Sequence, residues 1–117
     1  MSVKSGTTQP SEELITHNGY RLPEIRTLYQ VLKLSIVEDK PIMMDYWMQS
    51  MLSIDKGGAC IGVKDDNEKL LVKSEDEYTS PISKIYKTEK EFIIVTENSI
   101  YLVDNEITKK KVSSSNF

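Results

Sequence analysis

One cysteine, one histidine and one tryptophan are all that the 117 residues hold of these three side chains. A lone Cys60 cannot close an internal disulfide, which fits a soluble protein of a reducing compartment, cytoplasmic or carried in a virion. Its neighbours Ala59, Ile61 and Val63 mark it as a small buried hydrophobe. One Cys and one His cannot supply the three or four ligands of a zinc site. Ser-His-Asp or Cys-His catalysis would rest wholly on His17, within an N-terminal stretch that shows no apolar period. No run approaches the ~20 apolar residues that span a bilayer. Residues Met1 to Pro10 lack the hydrophobic core of a signal peptide. A formal charge of −3 argues against the basic surface that non-specific binding to nucleic acid or anionic lipid requires. Gly57-Gly58 is followed by Ala59-Cys60, not by the Lys-Ser/Thr of a phosphate loop. No enzyme activity, metal or cofactor is expected from this inventory.

What is present is β-rich. Pro81-Ile-Ser-Lys-Ile-Tyr86, Phe92-Ile-Ile-Val95 and Ile100-Tyr-Leu-Val103 are strand-forming segments separated by Thr88-Glu-Lys-Glu91 and Glu97-Asn98. Cys60-Ile-Gly-Val63 and Leu70-Leu-Val72 flank Asp65-Asp-Asn-Glu68 and predict a hairpin. Short turns predict antiparallel pairing in sequence order. Phe92–Val95 and Ile100–Val103 have no polar alternation, so both of their faces should be covered, one by a helix and the other by a curled sheet or a partner.

The helix is expected over 23–38. Pro23 suits its first position and Glu24 the positive end of its dipole, while Pro41 disfavours helical geometry at Lys40. Ile25, Leu28, Tyr29, Leu32 and Ile36 make one apolar face, and Val31, Leu34 and Val37 widen it beyond the usual stripe. Such a helix needs cover on more than one side, from its own sheet or from a partner. Residues 42–55 read as strand or helix: Pro41 bounds Ile42–Trp47 as a strand, favoured over 42–48, whereas Met44, Trp47, Met48 and Met51 keep helical spacing. The expected organisation is a mobile arm over 1–19, an α+β domain over 20–107, and a disordered Lys- and Ser-rich tail over 108–117. Five or six antiparallel strands would form a curled or barrel-like meander with the helix packed on it.

Met44, Tyr46, Trp47, Met48 and Met51 are the candidate partner-binding residues. Met adapts to irregular surfaces, and Trp and Tyr concentrate binding energy. Core filling is the competing explanation for the same residues. The acidic turns, Asp65, Asp66 and Glu68 or Glu75, Asp76 and Glu77, lack calcium-loop spacing and serve to keep hairpin ends wet.

Lys40-Pro-Ile-Met-Met-Asp-Tyr-Trp47 resembles the thioredoxin strand that leads into a redox site, but Met48-Gln-Ser-Met51 stands where that family has Cys-x-x-Cys. A wider likeness runs from Leu22 to Val103. The helix, then Asp39–Trp47, then Glu68–Ile82, then Glu91–Val103 together resemble short uncharacterised proteins of large eukaryotic DNA viruses. The resemblance implies a viral origin and a virion or host-interaction role, and it transfers no functional residues. The function expected is a non-enzymatic interaction or structural module that binds protein, either foreign or a second copy, through the Met/Trp segment and a sheet edge. The alternative is a single-stranded nucleic-acid-binding barrel using Tyr46, Tyr86 and Tyr101 with Lys64, Lys73, Lys84 and Lys87.

Overall fold

The computed structural model describes residues 21–113. The arm expected over 1–19, with His17, lies outside them, as do 114–117 of the expected tail. The architecture is α+β, with, among the described residues, α1 (Ile25–Glu38) and seven strands: β1 (Ile42–Met43), β2 (Cys60–Val63), β3 (Lys69–Val72), β4 (Ile82–Lys87), β5 (Glu91–Thr96), β6 (Ile100–Asp104) and β7 (Thr108–Lys111). They form two mixed sheets, ordered β1-β6-β5-β4 and β3-β2-β7, and neither closes into a barrel.

The predicted β4-β5-β6 meander and β2-β3 hairpin are present and antiparallel. The barrel-like antiparallel meander is corrected at both margins. β1 lies parallel to β6 (Ile42 opposite Ile100), and β7 lies parallel to β2 (Cys60 opposite Thr108). Short turns specify only sequence neighbours, whereas parallel pairs join segments far apart in the chain. Residues 108–111, expected in the disordered tail, are therefore strand. Their charge made them look like tail, but an edge strand tolerates lysines that point to water.

Three layers result. Ile93, Val95, Ile100 and Leu102 face α1 and Trp47. Phe92, Ile94 and Val103 face the smaller sheet through Ile61 and Leu71. The two apolar strands are thus covered on both faces, as their lack of alternation predicted. Val31 and Thr27 are buried on the helix side, with Leu28 and Leu34 half-buried around them.

The helix begins at Ile25, two residues later than expected, because Glu24 keeps an extended conformation (φ −64°, ψ 146°). It ends as expected, at Asp39 in the left-handed region (φ 56°), where the Asp39 and Lys40 amides both donate to Ser35 O. The chain then runs to β1, held by Ile100 N–H donating to Pro41 O at 2.9 Å. The strand expected over 42–48 is cut to Ile42–Met43. Trp47 N–H donates to Met44 O at 3.1 Å and closes a turn, and a 3₁₀ turn follows over Gln49–Met51. This bend swings Trp47 beneath α1, a placement that a continuing strand could not give.

Candidate interaction surface

α1 carries two apolar faces. One is used: Thr27, Val31 and Leu34 pack on the larger sheet. Ile25, Tyr29, Leu32 and Ile36 recur at i, i+4, i+7 and i+11, which at 100° per residue confines them to roughly 60° of arc on the side away from the sheet. They are 83%, 61%, 55% and 80% exposed, and Val37 beside them is 80% exposed. Apolar residues scattered singly over a surface need no explanation, whereas these four are contiguous along the helix. The sequence placed Leu28 and these four residues on one face. The helix in fact turns Leu28 inward, because the sheet selects the narrower stripe through Thr27 and Val31.

Charge borders the stripe on one side only. Arg26 and Lys33 sit one position after Ile25 and Leu32, and Lys33 Nζ lies 5.5 Å from the Tyr29 ring centroid. Neither cation makes an ion pair with another described residue. The opposite border is Ser35 and the half-buried Leu28.

The five residues singled out in the sequence are divided. Trp47 is 4% exposed, in the layer between α1 and the larger sheet, and Met51 packs against that layer. Tyr46 is equally buried but in the other layer, edge-on to Tyr101 at 5.5 Å. Burial, reinforced by Asp45, Tyr101 and Glu77, pushes its phenol well above the ordinary value and keeps it neutral. Met44 and Met48 remain on the surface. The two aromatics are thus core residues on opposite sides of the sheet, and the five do not form one patch.

Three of the four sheet edges are blunted, and the fourth, β3, is bridged at Val72 by Tyr78. β1 is two residues long, β4 follows Pro81 and loses register between Ile82 and Lys84, and β7 carries Lys109, Lys110 and Lys111. Short length, irregularity and lysine are the devices by which edges resist further pairing. Nor do Tyr46, Tyr86 and Tyr101 share a face. Tyr86 lies opposite Ile93 and belongs to the α1 side, whereas the other two lie between the sheets. Lys64, Lys73 and Lys84 are engaged with Glu68, Asp45 and Glu38.

One polar cluster was missed in the sequence. Glu91, fully buried, accepts from Arg21 Nη1 (2.6 Å), Glu24 N–H (3.1 Å), Thr27 Oγ1 (2.5 Å) and Thr88 Oγ1 (3.1 Å). Arg21 Nη2 reaches Asp104 at 3.0 Å, and the guanidinium carbon lies 5.0 Å from the Trp47 ring centroid. Trp47 Nε1 donates to Arg21 O at 2.7 Å. Burial alone would raise the Glu91 carboxyl, but the four donors outweigh it and hold the group below the usual carboxylate range. Glu91 is fully enclosed with its acceptors satisfied, and Asp104, which also lines an open depression with Ser50, Ser53 and Glu106, takes the other arm of Arg21, so the cluster fixes α1 on the sheet. Glu91 and Asp104 are direct partners across β5 and β6, a pairing legible only once the register is known.

Cys60 is buried, and burial, partly offset by Lys110, pushes its thiol up and away from reactivity. Among the described residues no group of three His, Cys, Asp or Glu side chains could hold a metal ion, and no helix is long and apolar enough to cross a membrane. No protein family, curated protein or solved structure matches this chain.

Proposed function

We propose that this chain is a non-enzymatic protein-interaction module whose contact surface is the outward face of α1, formed by Ile25, Tyr29, Leu32 and Ile36 with Val37. The observation that carries the proposal is the exposed stripe itself. Four large apolar side chains stand in line on a helix whose opposite side is already packed. Holding such a stripe in water gains the fold nothing, and covering it releases about 25 cal/mol per Å² of apolar surface. The resemblance to short viral proteins extends the proposal to a virion or host-contact role served by the same surface.

A random-peptide selection on the immobilised full chain tests this. Peptides that bind the wild type and are lost on a Leu32→Glu, Ile36→Glu variant support the surface. Selection of nothing, or of peptides indifferent to the variant, removes it. The two substitutions leave the packed face untouched, so the variant's stability should stay within about 0.5 kcal/mol of the wild type in urea denaturation.

A further inference from the structure

The asymmetric charge beside the stripe says more about the partner. We propose that the outward face of α1 receives a foreign amphipathic helix, apolar at i, i+4, i+7 and i+11, with carboxylates along the flank that meets Arg26 and Lys33. The inference rests on the interaction-module reading and narrows it to one chemistry.

Three observations select this occupant. First, Arg26 and Lys33 lie on the same border, seven residues or about 10 Å apart along the axis, and have no ion-pair partner among the described residues. Cations lining an apolar seam are the positions that set partner choice and orientation in paired helices. Second, a further copy of α1 fits badly. The stripe is nearly symmetric about the midpoint between Gln30 and Val31, so an antiparallel copy would set Ile25 against Ile36 and Tyr29 against Leu32. That register also turns the two Arg26/Lys33 borders toward each other, with Arg26 about 3 Å along the axis from the level of the copy's Lys33, like charge near like. A parallel copy offers these cations only Leu28 and Ser35. Third, the stripe is short. From Ile25 to Ile36 it spans about 16 Å of helix, roughly 10 Å wide. The area covered falls far below the ~800 Å² per partner of a standard stable interface. A contact this small is weak and reversible, and its specificity has to come from charge.

Binding of two blocked helical peptides of about 18 residues, long enough to form helix, tests the proposal on the full chain. Both carry Ile or Leu at i, i+4, i+7 and i+11, and their flanking positions are Glu in one and Lys in the other. The Glu peptide should bind about tenfold tighter at low salt, with the advantage shrinking near 0.5 M salt as screening grows. An Arg26→Glu, Lys33→Glu variant should reverse the preference. Equal binding of both peptides overturns the acidic-flank assignment and leaves the interaction surface standing. Binding of neither overturns the inference. In that case a doubled mass in light scattering would assign the stripe to a second copy, and a monomer whose residues 1–20 change their NMR shifts on Leu32→Glu would assign it to this chain's own N-terminal segment. Failure of the random-peptide selection together with the monomer result would remove the module reading itself, whereas a doubled mass would keep that reading and change only the occupant.

Discussion

Arg21→Ala is expected to destabilise the fold by about 3–5 kcal/mol in urea denaturation, the usual consequence of taking one partner from a buried ion pair. Glu91 is fully buried, and Arg21 is its only cationic partner among the described residues. Without the guanidinium, the Glu91 carboxylate keeps Thr27, Thr88 and the Glu24 amide as donors, yet its charge is no longer compensated. Glu91 and Asp104 also face each other across β5 and β6, so their mutual repulsion is released. Arg21→Lys should recover only part of the loss, because an ammonium cannot reach both carboxylates with a planar fork. Acid titration gives a second readout. The Glu91 carboxyl lies below its ordinary value in the folded protein. Its contribution is therefore complete above the unfolded value, near 4.3, and is lost as pH falls through the folded one. In Arg21→Ala the folded value moves up, so acid unfolding should begin at higher pH than in the wild type. A variant that unfolds at the same pH as the wild type would show that the pair contributes nothing.

Gly58→Ala should be comparably severe, at about 3 kcal/mol or more. A Cβ at this position would stand 2.0 Å from Leu52 O and 2.6 Å from Leu52 C. The obstacle is backbone and cannot rotate away, so the cost lies at the upper end of overpacking. The carbonyl belongs to the loop that Gly58 closes: its own amide donates to Ser53 O at 2.9 Å, and Ala59 N–H donates to Gln49 O at 2.9 Å. Pushing that loop away strains the connection from Trp47 to β2. Gly57→Ala is the control. Gly57 has φ 87° and open space around it, so only left-handed strain remains, about 1–2 kcal/mol. A thermal-melt comparison in which both variants lose the same amount would refute the steric argument.

The elements of this protein are written locally. Pro23-Glu24 and Pro41 bracket α1, Asp65-Asp-Asn-Glu68 closes a hairpin with Asn67 at φ 67°, and the unbroken apolar runs of β5 and β6 announce strands covered on both faces. Those signals depend on residues within a few positions of one another, which is why they could be read. Both sides of α1 were visibly apolar for the same reason, but nothing along the chain ranks one side above the other. The sheet decides, through Val31 against Ile93 and Leu102, and so leaves Ile25, Tyr29, Leu32 and Ile36 outside. Likewise, Tyr46 and Trp47 are adjacent in sequence and end in separate layers, because the turn after Met43 points them to opposite sides. Sequence alone determined the helix, the β2-β3 hairpin and the antiparallel run of β4, β5 and β6, together with the shortage of side chains for zinc or His-dependent chemistry. Only tertiary structure decided the parallel strands β1 and β7, the Arg21–Glu91–Asp104 cluster and the apolar stripe left in water, because each depends on which distant segments meet.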